Sequence, residues 1–340
     1  MKAVVFHEPG GPDKLSVGEF PPPKPGPGEA LVRVKACALN HIDVWVISGS
    51  PAYKVPLPHA PGSDIAGVVE SPVEGFPSGT RVVVMPLSSC GKCQQCVAGR
   101  SNLCGERKVI GASPRWGGYA ELVAVPSAQL IALPDSVSFV QAAALPVAYM
   151  TAWHMLTCRA GVKSGESVLV TAAGSGVGSA AIVLARHLGA KVYATAGNEA
   201  KRTKAKGLGA QATFDHGDPD FAKQVVAATG GRGVDVVVDC VGTPVLERTL
   251  ASLSAGGRLA TCGATVGIKV EFELRSVFGK QLSVLGSYLG TKDELETLAS
   301  LVAAGKFKPI IDSEIPASSV RQGLEKMLSR GSFGKIVLVR

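Results

Sequence analysis

The hydrophobic and polar positions divide this chain of 340 residues into two parts of different texture. Up to about residue 146, short apolar runs are separated by turns rich in Gly and Pro, a pattern that predicts β-strands. The run PPPKPGPG at 21–28 predicts a surface connection, because it cannot adopt regular structure. The strands predicted in this β-rich part are Ala3–Phe6, Ala30–Lys35, Ala66–Glu70, Arg81–Met85 and Leu122–Val125.

From about residue 147, apolar strand-like runs alternate with helical patterns. Continuous apolar strands that are each followed by a helix predict a parallel sheet covered on both faces. The predicted pairs are Ser167–Thr171 with Val177–Leu188, Lys191–Thr195 with Glu199–Leu208, and Val234–Asp239 with Val245–Leu253, followed by strands at Arg258–Thr261 and Ser283–Leu285. After residue 289 come a helix at Asp293–Ala304, a strand at Ile310–Ile315, a helix at Val320–Leu328 and a strand at Lys335–Val339.

Composition narrows the class of protein. The hydrophobic fraction of 46% excludes a disordered chain, and the length suits about two domains. The chain has a net charge of +8 but no run of five basic residues. We therefore interpret the positive charge as spread over a solvated surface, and we expect no nucleic-acid partner. We expect a cytoplasmic protein with no membrane partner, because no leader-like segment precedes the first strand and no apolar stretch of 18 residues lacks Gly and charge.

A glycine-rich loop follows the strand VLVTAA and precedes a helix. Gly174, Ser175, Gly176, Val177 and Gly178 form the dinucleotide fingerprint in its required context. Glycines permit the tight turn and the close approach of the backbone, and the helix N-terminus faces the pyrophosphate. A strand-to-helix turn without a ligand is the alternative interpretation.

The end of the second strand of this part bears on the choice of nucleotide. An NAD site is expected to carry an acidic residue there, but this strand ends in Thr195-Ala196-Gly197-Asn198. Lys201 and Arg202 on the next helix could pair with a 2′-phosphate. The sequence therefore favours NADP(H) over NAD(H); otherwise these two cations are ordinary helix-surface charges.

Four cysteines lie within the segment SCGKCQQCVAGRSNLC. Cys90, Cys93, Cys96 and Cys104 can surround one ion, and structural zinc takes four thiolates in a closed tetrahedral site. An iron–sulfur cluster, disulfides and a nucleic-acid zinc module are the alternatives. The remaining cysteines, at positions 37, 158, 240 and 262, lie in apolar stretches and are predicted to be small core residues. Two of them, Cys240 and Cys262, end predicted strands, where cofactor-lining residues lie.

A cysteine-rich lobe inside a β-rich domain, followed by a Rossmann half, resembles the medium-chain dehydrogenase/reductase superfamily. The motifs PGSDIAGVV, GGYAE, TAW and the terminal GKIVL carry the resemblance, which extends over essentially the whole chain. It implies an α/β protein with a GroES-like β-rich catalytic domain at 1–146 and 289–340, which bears the zinc lobe. It also implies a doubly wound Rossmann NADP(H)-binding domain at 147–288.

Two branches of this family bear on the chemistry: zinc alcohol dehydrogenases and zinc-free quinone oxidoreductases. The three catalytic zinc ligands of the first branch correspond here to Asn40, Ser63 and Val147. A zinc site needs thiolate, imidazole or carboxylate ligands. The sequence therefore resembles the quinone oxidoreductase branch and predicts one structural zinc without a catalytic one. A substitute metal site among His41, Asp43, His59 and Asp64 is the alternative.

The resemblance also implies site residues. It assigns Asn40, His41 and Tyr53 to catalysis, with Asn40 positioning the nicotinamide or its ribose and the other two as candidate hydrogen-bond donors. Asp43 and Asp64 are expected to be structural acceptors between the domains. The cofactor-binding residues predicted besides those of the glycine loop are Asn40, Thr151, Asn198, Lys201, Arg202, His216, Cys240, Val241, Cys262, Gly263, Ser287, Tyr288, Leu289 and Lys335.

Without a metal to lower the pKa of an alcohol, reduction of an activated acceptor is the chemistry that remains feasible. The sequence thus predicts NADPH-dependent hydride transfer to a small ketone, enone or quinone, in a homodimer or homotetramer joined by edge strands near Ser283–Leu289. The loop Ile47–Pro58 and the segment Arg275–Leu289 are expected to shape the substrate pocket. A zinc alcohol dehydrogenase with atypical ligands and a non-catalytic NADPH-binding protein are the competing hypotheses.

Overall fold

The computed structural model describes residues 1–243, 245–263 and 265–340. The chain forms two compact units, one of Met1–Met150 with Thr291–Arg340 and the other of Thr151–Gly290. The sequence places the divisions after residues 146 and 288 instead. Among the described residues, no helix combines the length and the apolar character that a membrane crossing requires.

The strands of the described residues are β1 (Lys2–Phe6), β2 (Leu15–Glu19), β3 (Glu29–Ala38), β4 (Asp64–Ser71), β5 (Arg81–Val84), β6 (Leu87–Ser88), β7 (Lys108–Val109), β8 (Leu122–Pro126), β9 (Leu130–Ala132), β10 (Ser167–Val170), β11 (Lys191–Ala196), β12 (Ala212–Asp215), β13 (Val234–Asp239), β14 (Leu253–Thr261), β15 (Ser283–Gly286), β16 (Ile311–Pro316) and β17 (Lys335–Val339). The longest of them are β3 and β14, with ten and nine residues.

The α-helices are α1 (His41–Ile47), α2 (Gln94–Val97), α3 (Phe139–Ala143), α4 (Met150–His154), α5 (Gly176–His187), α6 (Glu199–Gly207), α7 (Phe221–Ala228), α8 (Leu246–Ala251), α9 (Leu274–Lys280), α10 (Lys292–Ala303) and α11 (Val320–Leu328). Two π-helical turns, Leu145–Tyr149 and Met155–Arg159, flank α4.

The first unit is built around a seven-stranded sheet in the order β16-β17-β3-β4-β5-β9, with β8 also paired to β3. Buried and less buried residues alternate along the first part of β3, as expected for a strand with one face in the core. The antiparallel registers place Ala38 opposite both Val337 and Asp64. These pairings bring the start of β17, the end of β3 and the start of β4 to one place.

The second unit is a six-stranded sheet in the order β12-β11-β10-β13-β14-β15, and each of its pairings is parallel. This is the doubly wound order in which two βαβ halves meet between β10 and β13. Its inner strands are continuous buried apolar runs, as in β10. Because the strands are parallel, their carboxyl ends share one edge. The buried core cluster of this unit includes Leu169, Phe221 and Leu259.

Candidate functional site

The glycine-rich loop connects β10 to α5, as the sequence predicts. The hydroxyl oxygen of Ser175 accepts a hydrogen bond of 2.9 Å from the backbone N–H of Gly178 and so caps the helix. A Cβ atom at Gly178 would overlap the carbonyl oxygen of Ala172, so only glycine allows the helix to start this close to the strand. The twelve-residue α5 therefore presents a capped N-terminus at the carboxyl edge of the sheet.

Most other cofactor-binding residues predicted in the second unit follow the carboxyl ends of its parallel strands. Cys240 and Val241 come directly after β13, Cys262 and Gly263 after β14, and Ser287, Tyr288 and Leu289 after β15. Ligands of open α/β sheets bind outside this edge. Thr151 instead lies buried on α4, and Asn40 and Lys335 belong to the first unit.

Polar side chains lie along this edge of the sheet. The thiol of Cys240 lies 3.4 Å from the hydroxyl of Ser175, which joins the end of β13 to the glycine loop. The hydroxyl oxygen of Ser287 is buried and makes no hydrogen bond within the described structure. Buried hydroxyls are normally satisfied, so Ser287 has a hydrogen-bonding capacity that a bound ligand can use.

The end of β11 carries the residues predicted to choose between the two nucleotides. Asn198 caps α6, because its side-chain oxygen accepts a bond of 2.9 Å from the backbone N–H of Lys201. The Lys201 side chain passes beside Gly174, where a Cβ atom would lie 2.8 Å from its Cδ. The ring of His216 lies beside Gly197, 3.1 Å from the position of a Cβ atom there. Lys201 and His216 thus border the glycine loop and the end of β11.

Arg202 is already engaged by two carboxylates. Its Nη1 lies 2.8 Å from Oδ2 of Asp215, and its Nη2 lies 2.9 Å from Oε2 of Glu199. The Arg202 side chain is 18% exposed. A 2′-phosphate would therefore meet a cation whose charge is balanced within the protein.

The four lobe cysteines converge, and the two-stranded sheet β6-β7 closes the segment that carries them. Their sulfur atoms lie within 4.8 Å of one another, with separations of 3.5 Å for Cys104 and Cys90, 3.6 Å for Cys93 and Cys96, and 3.9 Å for Cys90 and Cys96. A tetrahedral zinc with bonds of about 2.3 Å separates its sulfur ligands by about 3.8 Å. The cluster therefore has the dimensions of a closed zinc site with four thiolate ligands.

The backbone of the lobe also suits thiolate ligands. Gly91 and Gly99 have φ angles of 72° and 73°, in the left-handed region, and both lie at turns between ligands. The backbone N–H groups of Lys92 and Cys93 lower the pKa of the Cys90 thiol to about 7, which favours the thiolate that a metal binds.

Two of the three positions that the resemblance assigns to catalytic zinc ligands, Asn40 and Val147, contact a buried ion pair. The ammonium nitrogen of Lys335 lies 3.0 Å from Oδ2 of Asp64 and 2.6 Å from Oδ1 of Asn40. The side-chain nitrogen of Asn40 donates to the same Asp64 oxygen at 2.9 Å, and the backbone N–H of Val147 donates to Oδ1 of Asp64 at 2.8 Å. Ser63 is turned elsewhere, since its hydroxyl donates to the carbonyl of Ile110 at 2.8 Å.

A second carboxylate lies beside this ion pair. Asp43 accepts hydrogen bonds from the backbone N–H of Asn40 at 2.8 Å and from the Tyr119 hydroxyl at 3.1 Å. Burial is the largest cause that raises the pKa of Asp43 to about 7, and burial also raises the pKa of Asp64. We expected both carboxylates to accept hydrogen bonds between domains, but these partners all belong to the first unit.

His41 is the first residue of α1, and Tyr53 follows that helix in the chain. Burial lowers the pKa of His41, and the nearby cations Lys335 and Arg330 lower it further, so its ring is neutral at pH 7. The ring of Tyr53 stacks on Trp45 with 6.2 Å between centroids and 7° between planes. The structure thus gives Tyr53 a packing role in addition to any chemical one.

His59 does not complete a substitute metal site. Its Nε2 lies 3.0 Å from the carbonyl oxygen of Gly111, its ring packs edge-on against Phe6, and burial lowers its pKa to about 4. In the part of the chain that the structure describes, no three of His41, Asp43, His59 and Asp64 bring ligand atoms within 4.8 Å of one another.

Sequence reasoning missed one residue of this site and the pairing of another. It included Lys335 as a cofactor residue but not as the partner of Asp64, and it overlooked Asp215. Asp215 pairs in register with Ala196, so it stands beside the end of β11 although it belongs to β12. Only the strand order, which local patterns do not contain, could have revealed it.

Two family models match the chain: "Alcohol dehydrogenase GroES-like domain" over residues 26–135 and "Zinc-binding dehydrogenase" over residues 176–304. A quinone oxidoreductase of Rattus norvegicus is 33% identical, across all of this chain and 98% of its own.

Two solved structures extend the comparison. One, described as an NAD-dependent alcohol dehydrogenase, matches with a TM-score of 0.96 and 44% identity, and the match covers both chains fully. A thermostable alcohol dehydrogenase from Pyrobaculum aerophilum, bound to cobalt and zinc, matches with a TM-score of 0.90 and 35% identity over all of this chain and 99% of the other. The GroES-like and Rossmann-type architecture and the whole-length relatives show that the chain is an oxidoreductase of the medium-chain dehydrogenase/reductase superfamily, in its quinone oxidoreductase-like branch.

Proposed function

We propose that the protein transfers a hydride from NADPH to an activated carbonyl compound or a quinone, without a catalytic metal. The buried network of Lys335, Asp64 and Asn40 carries this proposal. By the resemblance, Asn40 corresponds to a zinc ligand of the alcohol dehydrogenase branch, and the network around it already contains a cation. The carboxylate of Asp64 pairs with that cation and also accepts hydrogen bonds from the Asn40 side chain and the Val147 backbone N–H.

The donor set at the three corresponding positions does not suit zinc. An amide at position 40, a hydroxyl at 63 that donates to a carbonyl, and an apolar side chain at 147 supply no thiolate, imidazole or free carboxylate. Alcohol oxidation through a metal-bound alkoxide therefore has no support in these residues. A quinone, an enone or an activated ketone needs only orientation and stabilisation of the developing oxyanion.

NADPH, when bound, supplies the hydride from C4 of its nicotinamide, and the acceptor oxygen takes a proton as its carbonyl or quinone is reduced. The glycine loop and the capped N-terminus of α5 would hold the pyrophosphate, and Lys201, Arg202 and His216 would face the 2′-phosphate. The Lys335 ammonium orients the Asn40 side chain, which would position the nicotinamide or its ribose. His41 and Tyr53 would donate hydrogen bonds to the developing oxyanion.

We also propose that the lobe holds one structural zinc, supported by the sulfur separations, and that the chain forms a homodimer through the second unit. The edge strand β15 ends its sheet, and large apolar side chains are exposed in this strand, just after it and in the segment that precedes it. An unpaired edge beside exposed apolar groups favours pairing with a second copy. The exposed side chains are Val266, Ile268, Phe272, Leu274, Phe278, Val284 and Tyr288.

The test combines metal counting with turnover on the purified chain. One zinc per chain, with NADPH oxidation in the presence of quinones, enones or ketones that withstands mild chelation, is the expected result. Two zincs and activity lost on mild chelation would establish the zinc alcohol dehydrogenase alternative. Tight NADPH binding without turnover across the acceptor panel would establish the non-catalytic one.

A further inference from the structure

The end of β11 has no acidic residue of its own, yet a carboxylate stands beside it. Asp215, the last residue of β12, pairs with Ala196, the last residue of β11. Paired residues of neighbouring strands lie about 5 Å apart. The ribose hydroxyls of a bound dinucleotide are read at the end of this second strand. Asp215 therefore lies where an acceptor for a ribose 2′-hydroxyl can act, although it comes from the adjacent strand.

The Asp215 carboxylate is held in place from two sides. Its Oδ1 accepts a bond of 2.8 Å from the backbone N–H of Gly217, and its Oδ2 accepts one of 2.8 Å from Nη1 of Arg202. The Arg202 nitrogen Nη1 also lies 3.3 Å from the carbonyl oxygen of Ala196. These contacts tie the guanidinium to the end of β11 and to Asp215 together.

The balance of charges around Arg202, at the end of β11, opposes a strong preference for a 2′-phosphate over a 2′-hydroxyl. Arg202 faces two carboxylates, Asp215 and Glu199, so the pair of them more than neutralises it. The Lys201 side chain, which passes beside Gly174, brings a further positive charge to the same region. A 2′-phosphate would gain from Lys201 but would meet the like charge of Asp215, whereas a 2′-hydroxyl could donate to that carboxylate.

We propose that Asp215 is a specificity-determining residue, whose carboxylate restrains Arg202 and repels a 2′-phosphate, so that the chain accepts NADH as well as NADPH. This inference rests on the proposed function, because it concerns the same nucleotide site. It adds a residue that sets the ratio of the two affinities.

Binding of NADPH and NADH to the full-length protein, without any acceptor, tests the proposal. The dissociation constants are measured by calorimetry for the wild type, Asp215→Asn and Glu199→Gln. Asn at position 215 can keep the bond from the Gly217 N–H, so the strand end stays intact. Asp220→Asn is the matched control, because Asp220 is an exposed partner of Lys223 in the same segment.

The wild type is expected to bind both nucleotides. Because partly exposed charge pairs are screened, Asp215→Asn is expected to tighten NADPH about threefold to tenfold while NADH stays equal or weakens. Glu199→Gln should also favour NADPH over NADH, but by a smaller factor. Asp220→Asn should leave the ratio of the two dissociation constants unchanged. An unchanged or reduced preference for NADPH in Asp215→Asn, or no NADH binding by the wild type, overturns the inference alone. Failure to bind either nucleotide overturns the proposed function itself.

Discussion

Lys335 and Asp64 form an ion pair across strand β3, with 3.0 Å between Nζ and Oδ2 and side chains that are only 2% and 0% exposed. The lysine begins β17 and the aspartate begins β4, on either side of β3 in the sheet. The pair therefore connects three adjacent strands at their common end, and it fixes the amide of Asn40 between them.

Replacing Lys335 with methionine should destabilise the protein more than the loss of packing explains. Removing one partner of a buried ion pair leaves an uncompensated charge, which costs about 3–5 kcal/mol. Denaturant unfolding of Lys335→Met measures the loss. Adding Asp64→Asn should recover part of it, because the buried charge disappears. Strictly additive losses in the double variant would contradict the pairing.

The stability of the protein should depend on pH through Asp43. Its pKa is raised in the folded state to about 7, so the folded protein holds a proton that the unfolded chain releases near pH 4. The contribution of Asp43 is complete below about pH 4 and is lost as pH rises to about 7, with a slope of at most about 1.4 kcal/mol per pH unit.

Unfolding free energies of wild type and Asp43→Asn between pH 4 and 8 check this prediction. The unfolding free energy of Asp43→Asn should not fall with pH through the Asp43 carboxyl. The variant should therefore be most stable relative to the wild type near pH 8. Asp13→Asn serves as the control at an exposed aspartate. The same slope in Asp43→Asn as in wild type would count against a proton on Asp43.

Removal of Cys104 should empty the zinc lobe. This cysteine is wholly buried, and its sulfur accepts backbone N–H bonds of 3.4 Å from Cys90 and Glu106. Serine has no thiolate and therefore cannot replace it as a zinc ligand in a site of four thiolates. Elemental analysis of Cys104→Ser should find no zinc, with a lower melting temperature. Lys92→Ala, at an exposed side chain of the same lobe, should keep one zinc. Zinc retained equally in both variants would refute the site.

Replacement of two glycines of the nucleotide loop with alanine should affect stability and nucleotide binding differently. Gly178→Ala forces the new Cβ into the Ala172 carbonyl, so we expect a loss of stability of roughly 2 kcal/mol or more and loss of nucleotide binding. Gly174→Ala meets only the flexible end of Lys201. It should leave the melting temperature nearly unchanged and weaken NADPH more than NADH, because Lys201 is displaced. Equal effects of the two changes on stability would show that the loop packing is not as described.

In the second unit, the observed helices and strands agree closely with those predicted from the sequence where the apolar runs are continuous. The predicted helix Val177–Leu188 is α5 at Gly176–His187, and the strand predicted at Val234–Asp239 is β13. Short elements were missed. The segment HIDVWVI of α1 is too short and too apolar for a helical period to show, and its helix depends on capping, since the Asp43 side chain accepts the backbone N–H of Asn40.

Pairings between distant residues explain what else was missed. Lys335 follows Asn40 by 295 positions, and only the register of β17 against β3 places the two together. Asp215 likewise reaches the end of β11 through the order of strands. Motif spacing identified the glycine loop and the four cysteines because each of those clusters is local in the chain.

The chain enters and leaves the zinc lobe at a single point, because Leu87 pairs with Val109 and Ser88 with Lys108 in the small sheet β6-β7. The segment between these strands contributes no strand to the seven-stranded sheet of the first unit. An insertion whose two ends are already paired can be shortened to a tight turn with little effect on the scaffold that carries it. The lobe is thus a separable insertion, and the strand pairings of the seven-stranded sheet do not depend on it.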